Sequence, residues 1–473
     1  MRSSTIRFRT LEEIARDIRL GRVSSLEVTR DALERGRSLN RQLGAFITFM
    51  EEQAIEDARR ADRMIAQGDV RAASMPLLGV PVSVKDVFDT AGVRTTAGSR
   101  VFRRRKPARD ALAVRRLREA GAVILGKTNL SEFAWGSVQS AFGALRNPHD
   151  PSRFAGGSSS GAGAALATGI GYGALGSDTA GSIRMPAAFC GVVGIKPTFG
   201  LVPCDGAIPL AWTMDTAGPL ARTARDARIM LRALCDSASR RAIGAGRPDR
   251  TGGTRVLRGS LSGITIGIPE KHFFETLEPD VERALDEARR ELRRAGARLR
   301  SVDLPFAELS NLATAIILQV EGATWHREKI ARHFDAYGEI FRGRMIQGLL
   351  IPGRVYLKAQ QLRNRIRLGV EAALGRVDAI LTPTTAIVAH PLDETPRNSA
   401  RVADIGRCTS PASLAGLPAL SLPCGMSGEG LPIGMQLIGR AFEDGTLLRI
   451  GEAWQSRTDW HERRPEPLSR ESS

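Results

Sequence analysis

A chain of 473 residues with 42% hydrophobic content can bury a large core, and 68 Lys+Arg against 51 Asp+Glu leave it at +17. That length suits one large α/β unit or two domains. Five scattered cysteines, Cys190, Cys204, Cys235, Cys408 and Cys424, form no CxxC pair, and the six histidines do not cluster; this argues against a disulfide framework, a metal or another cofactor, and fits a reducing cytoplasm.

Met1 to Leu20 alternates charged with apolar residues and offers no hydrophobic stretch for a signal peptide. Residues 10 to 66 carry helical periodicity, as in Leu11, Ile14, Ala15 and Ile18, and Ser24-Ser25-Leu26-Glu27 opens a helix with a capping pattern, so this part reads as an N-terminal helical layer. From Leu77 to Leu234 short apolar runs alternate with helical stretches: a strand near Val80 to Val84, a helix from Ala111 to Ala120 and a strand from Ala122 to Leu125. That alternation reads as α/β. Ala155 to Gly176 is nearly uncharged but too rich in Gly, Ser and Ala for a membrane span, and reads as a packed interior helix with its flanking loops. Residues 236 to 261 read as a surface insertion, followed by a strand at Ile264 to Ile268, a helix at Pro279 to Ala295 and a strand near Arg298 to Val302. One long helical stretch spans Phe306 to Leu374. An apolar run at Ala379 to Leu381, a strand at Pro432 to Gly439, a last helix at Asp444 to Gln455 and a frayed tail complete the chain.

The positive charge is spread along the chain and concentrates only at Arg103-Arg104-Arg105-Lys106 and around residues 238 to 258. With aromatics at 5% there is no stacking platform for bases, so a solvated arginine-rich surface is the better reading.

Two spellings invite motifs that their surroundings refuse. Gly121 to Thr128 satisfies the P-loop pattern, but its intervening residues are Ala-Val-Ile-Leu, a buried strand rather than a nest of inward N–H groups. Gly157-Ser158-Ser159-Ser160-Gly161 satisfies GxSxG, yet no apolar strand precedes it, and nothing ties His390 or His461 to Ser159.

Lysine is scarce: seven of the 68 basic residues, three of them mid-chain at Lys85, Lys127 and Lys196. A desolvated lysine can act as a base and arginine cannot. Lys85 ends the apolar run Gly79 to Val84; with Gly156-Gly157-Ser158-Ser159-Ser160-Gly161 and Asp178-Thr179-Ala180-Gly181-Ser182-Ile183-Arg184 it supplies a base, a relay hydroxyl, a nucleophile and a backbone anion site.

These three motifs, in this order and with 24 residues from Ser158 to Ser182, resemble the amidase signature family. Weaker likeness runs through Cys190 to Thr198, Asp215 to Pro219, Leu414 to Pro418 and Met435-Gln436. The resemblance implies a single large α/β domain with a central mixed sheet covered by helices on both faces. In it, residues 1–66 are a packed helical layer, 67–463 the catalytic domain (signature core about 77–234, insertion about 236–261) and 464–473 a tail. It also implies Lys85, Ser158 and Ser182 as catalytic residues, and an oxyanion hole of the N–H groups of Thr179, Ala180, Gly181 and Ser182. Supporting roles fall to Ser159, Asp178 and Arg184, and a cis peptide is expected between Gly157 and Ser158. Holding Lys85 neutral near pH 7 asks for roughly 4 kcal/mol. Ser160 is expected to serve the N-terminus of the following helix, and Cys190 to be a packing residue.

The substrate implied is a small linear amide, hydrolysed in the cytoplasm by a stand-alone amidase through an acyl-enzyme on Ser182, away from membranes. Whether the chain forms a homodimer is open. The alternative is the glutaminase subunit of a tRNA-dependent amidotransferase, under which alone nucleic acid is expected. Those subunits carry an acidic residue shortly before the segment matching Pro411-Ala412-Ser413-Leu414; here it reads Gly406-Arg407-Cys408-Thr409-Ser410, although a shifted alignment brings in Asp404. A non-catalytic scaffold or nucleic-acid-binding protein of the same fold is the alternative of another class.

Overall fold

The protein is described from a computed structural model at residues 6–236, 259–395 and 398–466. The insertion expected at 236–261 lies almost wholly outside these residues, and so does most of the expected tail.

The chain opens with α1 (Leu11–Arg19), whose N-cap Thr10 forms a capping box with Glu13, and α2 (Ser25–Leu43), capped by Ser24 as its sequence pattern predicts. Then comes a strand the sequence does not announce, β1 (Phe46–Phe49), before α3 (Glu51–Ala66). β1 pairs antiparallel with β3, so this N-terminal part contributes a strand to the main sheet rather than merely covering it. The α/β part follows: β2 (Pro81–Lys85), α4 (Leu112–Glu119), β3 (Val123–Thr128) and a two-strand hairpin, β4 (Gln139–Ser140) and β5 (Gly143–Ala144). After it come α5 (Ser160–Ala167), β6 (Gly173–Asp178), α6 (Arg184–Cys190), β7 (Val193–Lys196), β8 (Thr216–Ala221) and α7 (Ala224–Leu234). Beyond the insertion lie β9 (Thr265–Ile268), α8 (Pro279–Arg294) and β10 (Arg298–Ser301).

The expected single stretch from 306 to 374 is three helices, α9 (Ser310–His333), α10 (Glu339–Leu350) and α11 (Gly353–Leu374). They break where Gly338 and Pro352 take extended backbone at the helix starts. β11 (Ala379–Pro383), α12 (Ser410–Leu414), β12 (Ala419–Met426), β13 (Pro432–Ile438) and α13 (Asp444–Gln455) complete the fold.

Among the described residues eleven strands make one mixed sheet in the order β1-β3-β2-β6-β8-β7-β12-β13-β11-β9-β10. The helices flank it: α6 packs on β7, β12 and β13, while α7 and α13 pack on each other over β8 and β12. β2 runs parallel to both β3 and β6, so Lys85 and Asp178 emerge at the same carboxyl edge of the sheet, where open α/β sheets place their sites.

α5 is buried along its whole length. A Cβ on its Gly161 would stand 2.1 Å from the Ala45 carbonyl oxygen and 2.8 Å from the Asn129 nitrogen, so only glycine lets this helix lie so close to its neighbours. Among the described residues no helix is long and apolar enough to cross a membrane.

Candidate active site

The last residue of β2 and the loop entering α5 meet, as the three motifs require. Lys85, fully buried, donates from Nζ to Ser158 Oγ at 2.7 Å. It also donates to Ser177 Oγ at 2.8 Å and to the Ser177 carbonyl at 3.3 Å. Burial drives the Lys85 pKa down to about 7, against the pull of the Asp178 and Asp215 carboxylates. An amine that gives up its proton near neutrality, held against a hydroxyl, has the geometry and proton affinity that general-base chemistry needs. Ser177 is a contact that the motifs alone miss. Its signal is the parallel register of β2 with β6, which brings the end of β6 beside Lys85.

The peptide Gly157-Ser158 is cis, as expected. Ser158 and Ser182 face one cavity of about 380 Å³, with no direct hydrogen bond between their hydroxyls.

The turn 179–182 is held at every residue by a different group. Thr179 Oγ1 donates to Asp215 Oδ1 at 2.6 Å, and Thr409 Oγ1 donates to the Ala180 carbonyl at 2.6 Å. The Gly181 N–H donates to Asp178 Oδ1 at 2.6 Å, and the Ser159 N–H donates to the Ser182 carbonyl at 3.0 Å. This bears on one expectation: the Gly181 N–H, expected among the oxyanion donors, is already bonded to Asp178. Gly181 is required for another reason, since its φ is 126° and a Cβ there would stand 2.5 Å from Thr409 Oγ1.

Asp178 and Arg184 brace the turn from beneath. The guanidinium donates to Asp178 Oδ1 and Oδ2 at 2.9 Å each, to the Thr409 carbonyl at 3.0 Å, to Gln436 Oε1 at 2.6 Å and to Ser413 Oγ at 2.7 Å. Burial pushes the Asp178 carboxyl up, but Arg184 outweighs it and holds the group at about 2. Asp215 lacks such a cation: desolvation raises it to about 6 against its bonds from Thr179, Leu210 and Ala211.

Ser159 touches both halves of the site, with its N–H on Ser182 and its Oγ donating to the Ser177 carbonyl at 3.2 Å. Ser160 departs from expectation. Ser159, not Ser160, occupies the N-cap of α5, no side chain caps the helix, and the Ser160 hydroxyl is buried without a partner among the described residues. Cys190 packs inside with its Sγ donating to the Ala155 carbonyl, and burial raises its pKa, which keeps the thiol protonated. In the refused P-loop, Lys127 lies in buried β3 and pairs with Asp86 at 3.1 Å.

The cavity wall is drawn from distant parts of the chain. Trp135, Val138 and Phe154 line it from the first half, Thr314, Leu318 and Gln319 from α9, and Ile340, Arg344 and Gln347 from α10. Val402, Ile405 and Gly406 close it. Among the described residues no carboxylate lines it. Asp404 turns aside, accepting from Asn311 Nδ2 at 3.1 Å and standing 3.7 Å from Arg407.

The model of the Amidase family matches residues 27–448. The chain belongs to the amidase signature family. It is an enzyme acting on the carbon–nitrogen bonds of amides. Among its relatives, the A subunit of the glutamyl-tRNA(Gln) amidotransferase of Hahella chejuensis is 40% identical, over 96% of this chain and 98% of that protein. A solved amidase is 34% identical with a TM-score of 0.84, covering 95% of this chain and 100% of its own. The native peptide amidase from Stenotrophomonas maltophilia is 31% identical with a TM-score of 0.82, covering 98% of this chain and 99% of its own.

Proposed function

We propose that this amidase signature enzyme hydrolyses a small linear amide through a Ser182 acyl-enzyme, with Ser158 and Lys85 as the proton relay. The observation that carries the reading is Lys85 Nζ, with its pKa lowered to about 7 by burial, 2.7 Å from the Ser158 hydroxyl in the cavity that also holds Ser182. Neutral Lys85 takes the Ser158 proton as Ser158 takes that of Ser182, and Ser182 Oγ attacks the carbonyl carbon. The oxyanion is received by the N–H groups of Thr179, Ala180 and Ser182, each such donor being worth roughly 3 to 4 kcal/mol. The proton returns through Ser158 to the departing amine, and water, deprotonated by the same relay, releases the acid from Ser182.

Two substrates compete for this machinery. The curated relatives weigh toward the glutamine-hydrolysing subunit of an amidotransferase, more than toward the stand-alone amidase expected from the sequence. The cavity weighs the other way. An α-ammonium buried there needs a countercharge, and none of the described lining residues is acidic. We therefore take an amide without a cationic group as the substrate and the isolated chain as the active unit.

Ammonia release by the isolated chain from propionamide, benzamide and glutamine, with Ser182→Ala as control, decides between them. Turnover of the uncharged amides above glutamine is expected. Glutamine hydrolysis that appears only when partner subunits are added would establish the amidotransferase reading instead, and ammonia release surviving Ser182→Ala would end the mechanism.

A further inference from the structure

Two residues of the turn 179–182 are fastened by groups that also touch the cavity wall: Ala180 by Thr409, whose hydroxyl also meets the Gly406 carbonyl at 3.1 Å, and Thr179 by Asp215. Asp215, half-buried at the entrance to β8, accepts from Thr179 Oγ1 at 2.6 Å with one oxygen. With the other it accepts from the Leu210 N–H at 2.9 Å and the Ala211 N–H at 3.1 Å. Thr179 and Leu210 both line the cavity. The loop from Leu210 to Asp215 is clamped from outside. Thr213 donates its N–H to Glu321 Oε2 at 3.1 Å and its hydroxyl to Glu321 Oε1 at 2.6 Å. Arg363 donates to Thr213 Oγ1 at 3.0 Å and to its carbonyl at 2.8 Å. Glu321 and Arg363 belong to α9 and α11. The carboxylate of Asp215 therefore joins the anion-binding turn to the helical part that builds the wall.

We propose that Asp215 is a positioning residue for amide hydrolysis: through the Thr179 hydroxyl it fixes the first N–H of the oxyanion turn relative to the cavity wall at Leu210. This rests on the reading of that turn as the oxyanion site. A backbone donor stabilises the developing oxyanion only when it is already aimed, because its advantage over water lies in not having to reorganise during the reaction. Misplacing it weakens the transition state and leaves the bound ground state nearly as it was. A loop brace with no part in positioning has a different signature, loss of stability without a selective loss of rate.

Inactivation of the full chain by a fluorophosphonate separates the two without knowledge of the natural amide. Ser182 Oγ forms a bond to phosphorus, the P–F bond breaks, fluoride leaves, the hydroxyl proton passes to Ser158, and the charge gathering on the phosphoryl oxygen draws on the same turn. Thr179→Val, which removes only the hydroxyl link, and Asp215→Asn are each expected to slow the inactivation step about tenfold, with the reversible binding constant changed less than about twofold. Thr179→Ser is expected to stay within about threefold of wild type, and the double variant to be no slower than the slower single one. A wild-type rate in Thr179→Val, a loss confined to reversible binding, or fully additive losses would overturn the proposal while leaving the Ser182 reading intact. A wild-type protein that is not labelled at Ser182 would remove that reading and this inference with it. If Asp215→Asn does not fold, the Thr179→Val and Thr179→Ser pair decides alone.

Discussion

β2 and β3 lie side by side, run parallel, and each carries near its end a fully buried lysine. Lys127 on β3 rests against the Asp86 carboxylate at 3.1 Å and donates to the Phe88 carbonyl and to Thr95 Oγ1. Lys85 on β2 meets the hydroxyls of Ser158 and Ser177 and one carbonyl, its carboxylates acting from farther off. Burial lowers the pKa of both, but at Lys127 an ion pair in direct contact opposes the loss of the proton, whereas at Lys85 a proton-accepting chain begins. Two lysines with the same strand context thus differ by one carboxylate, and under the proposed mechanism that difference separates a structural cation from a base.

The largest effect that separates them is loss of the base. Lys85→Ala is expected to lower ammonia release by about 10³-fold or more, since both proton transfers of the acylation step depend on it. Lys85→Arg should fare no better, because guanidinium does not give up its proton. Both variants should fold, as neither leaves a carboxylate in contact without its partner. Appreciable turnover by the arginine variant would erase the distinction between the two strand ends.

At the other strand end the expected cost is in stability. Lys127→Met leaves the Asp86 carboxylate buried and unpaired, which costs about 3 to 5 kcal/mol. Urea unfolding reads the cost, and the folded fraction should keep turnover within severalfold of wild type. A variant that is stable yet inactive would place Lys127 in the chemistry and break the comparison from its other side.

The chemistry is more legible in the sequence than the enclosure around it. Lys85, Ser158 and Ser182, the proposed relay, can be picked out because proton transfer demands particular residue types, and those fall in three short motifs. Asp215 and Thr409 hold the turn just as directly, yet their partners lie 36 and 229 residues away and no local spacing betrays such contacts. The fold shows the same division. All four strands are buried at every residue, so none alternates; β2 and β3 stand out as Val/Ile/Leu-rich runs, while β7, Val-Gly-Ile-Lys, and β8, Thr-Ala-Gly-Pro-Leu-Ala, are broken by glycine and proline and lack the apolar run by which a buried strand is recognised. β1 is hidden by helical periodicity on both sides. The breaks at Gly338 and Pro352 are spelled in the sequence but outweighed by the apolar runs around them. Ser160 misses the cap because the pattern fixes which residue types cap a helix, not which serine of three lands there.

The smallest effect concerns pH, where a third buried lysine tests how far Lys85 acts alone. Burial takes Lys85 to about 7, so turnover should fall about tenfold per pH unit below that point, as the protonated fraction grows, and level off above it. Lys196 is also fully buried, donates to the Pro197 carbonyl and, through burial and then the repulsion of Arg184, is likewise brought to about 7. Unfolded, each lysine keeps its proton up to its ordinary 10.5. Between about 7 and 10.5 the unfolded chain therefore binds more protons than the native one, and these lysines make stability rise with pH across that window; below it their contribution is flat. Lys196→Met should flatten that rise in urea titrations at about pH 7.5, 8.5 and 9.5 while leaving the activity midpoint within about half a unit of wild type, because Lys196 reaches Lys85 only through their common neighbour Asp178. A midpoint displaced by a full unit or more would mean that the two lysines titrate as one coupled group, and the base would then be a property of the buried charge cluster rather than of the end of β2 alone.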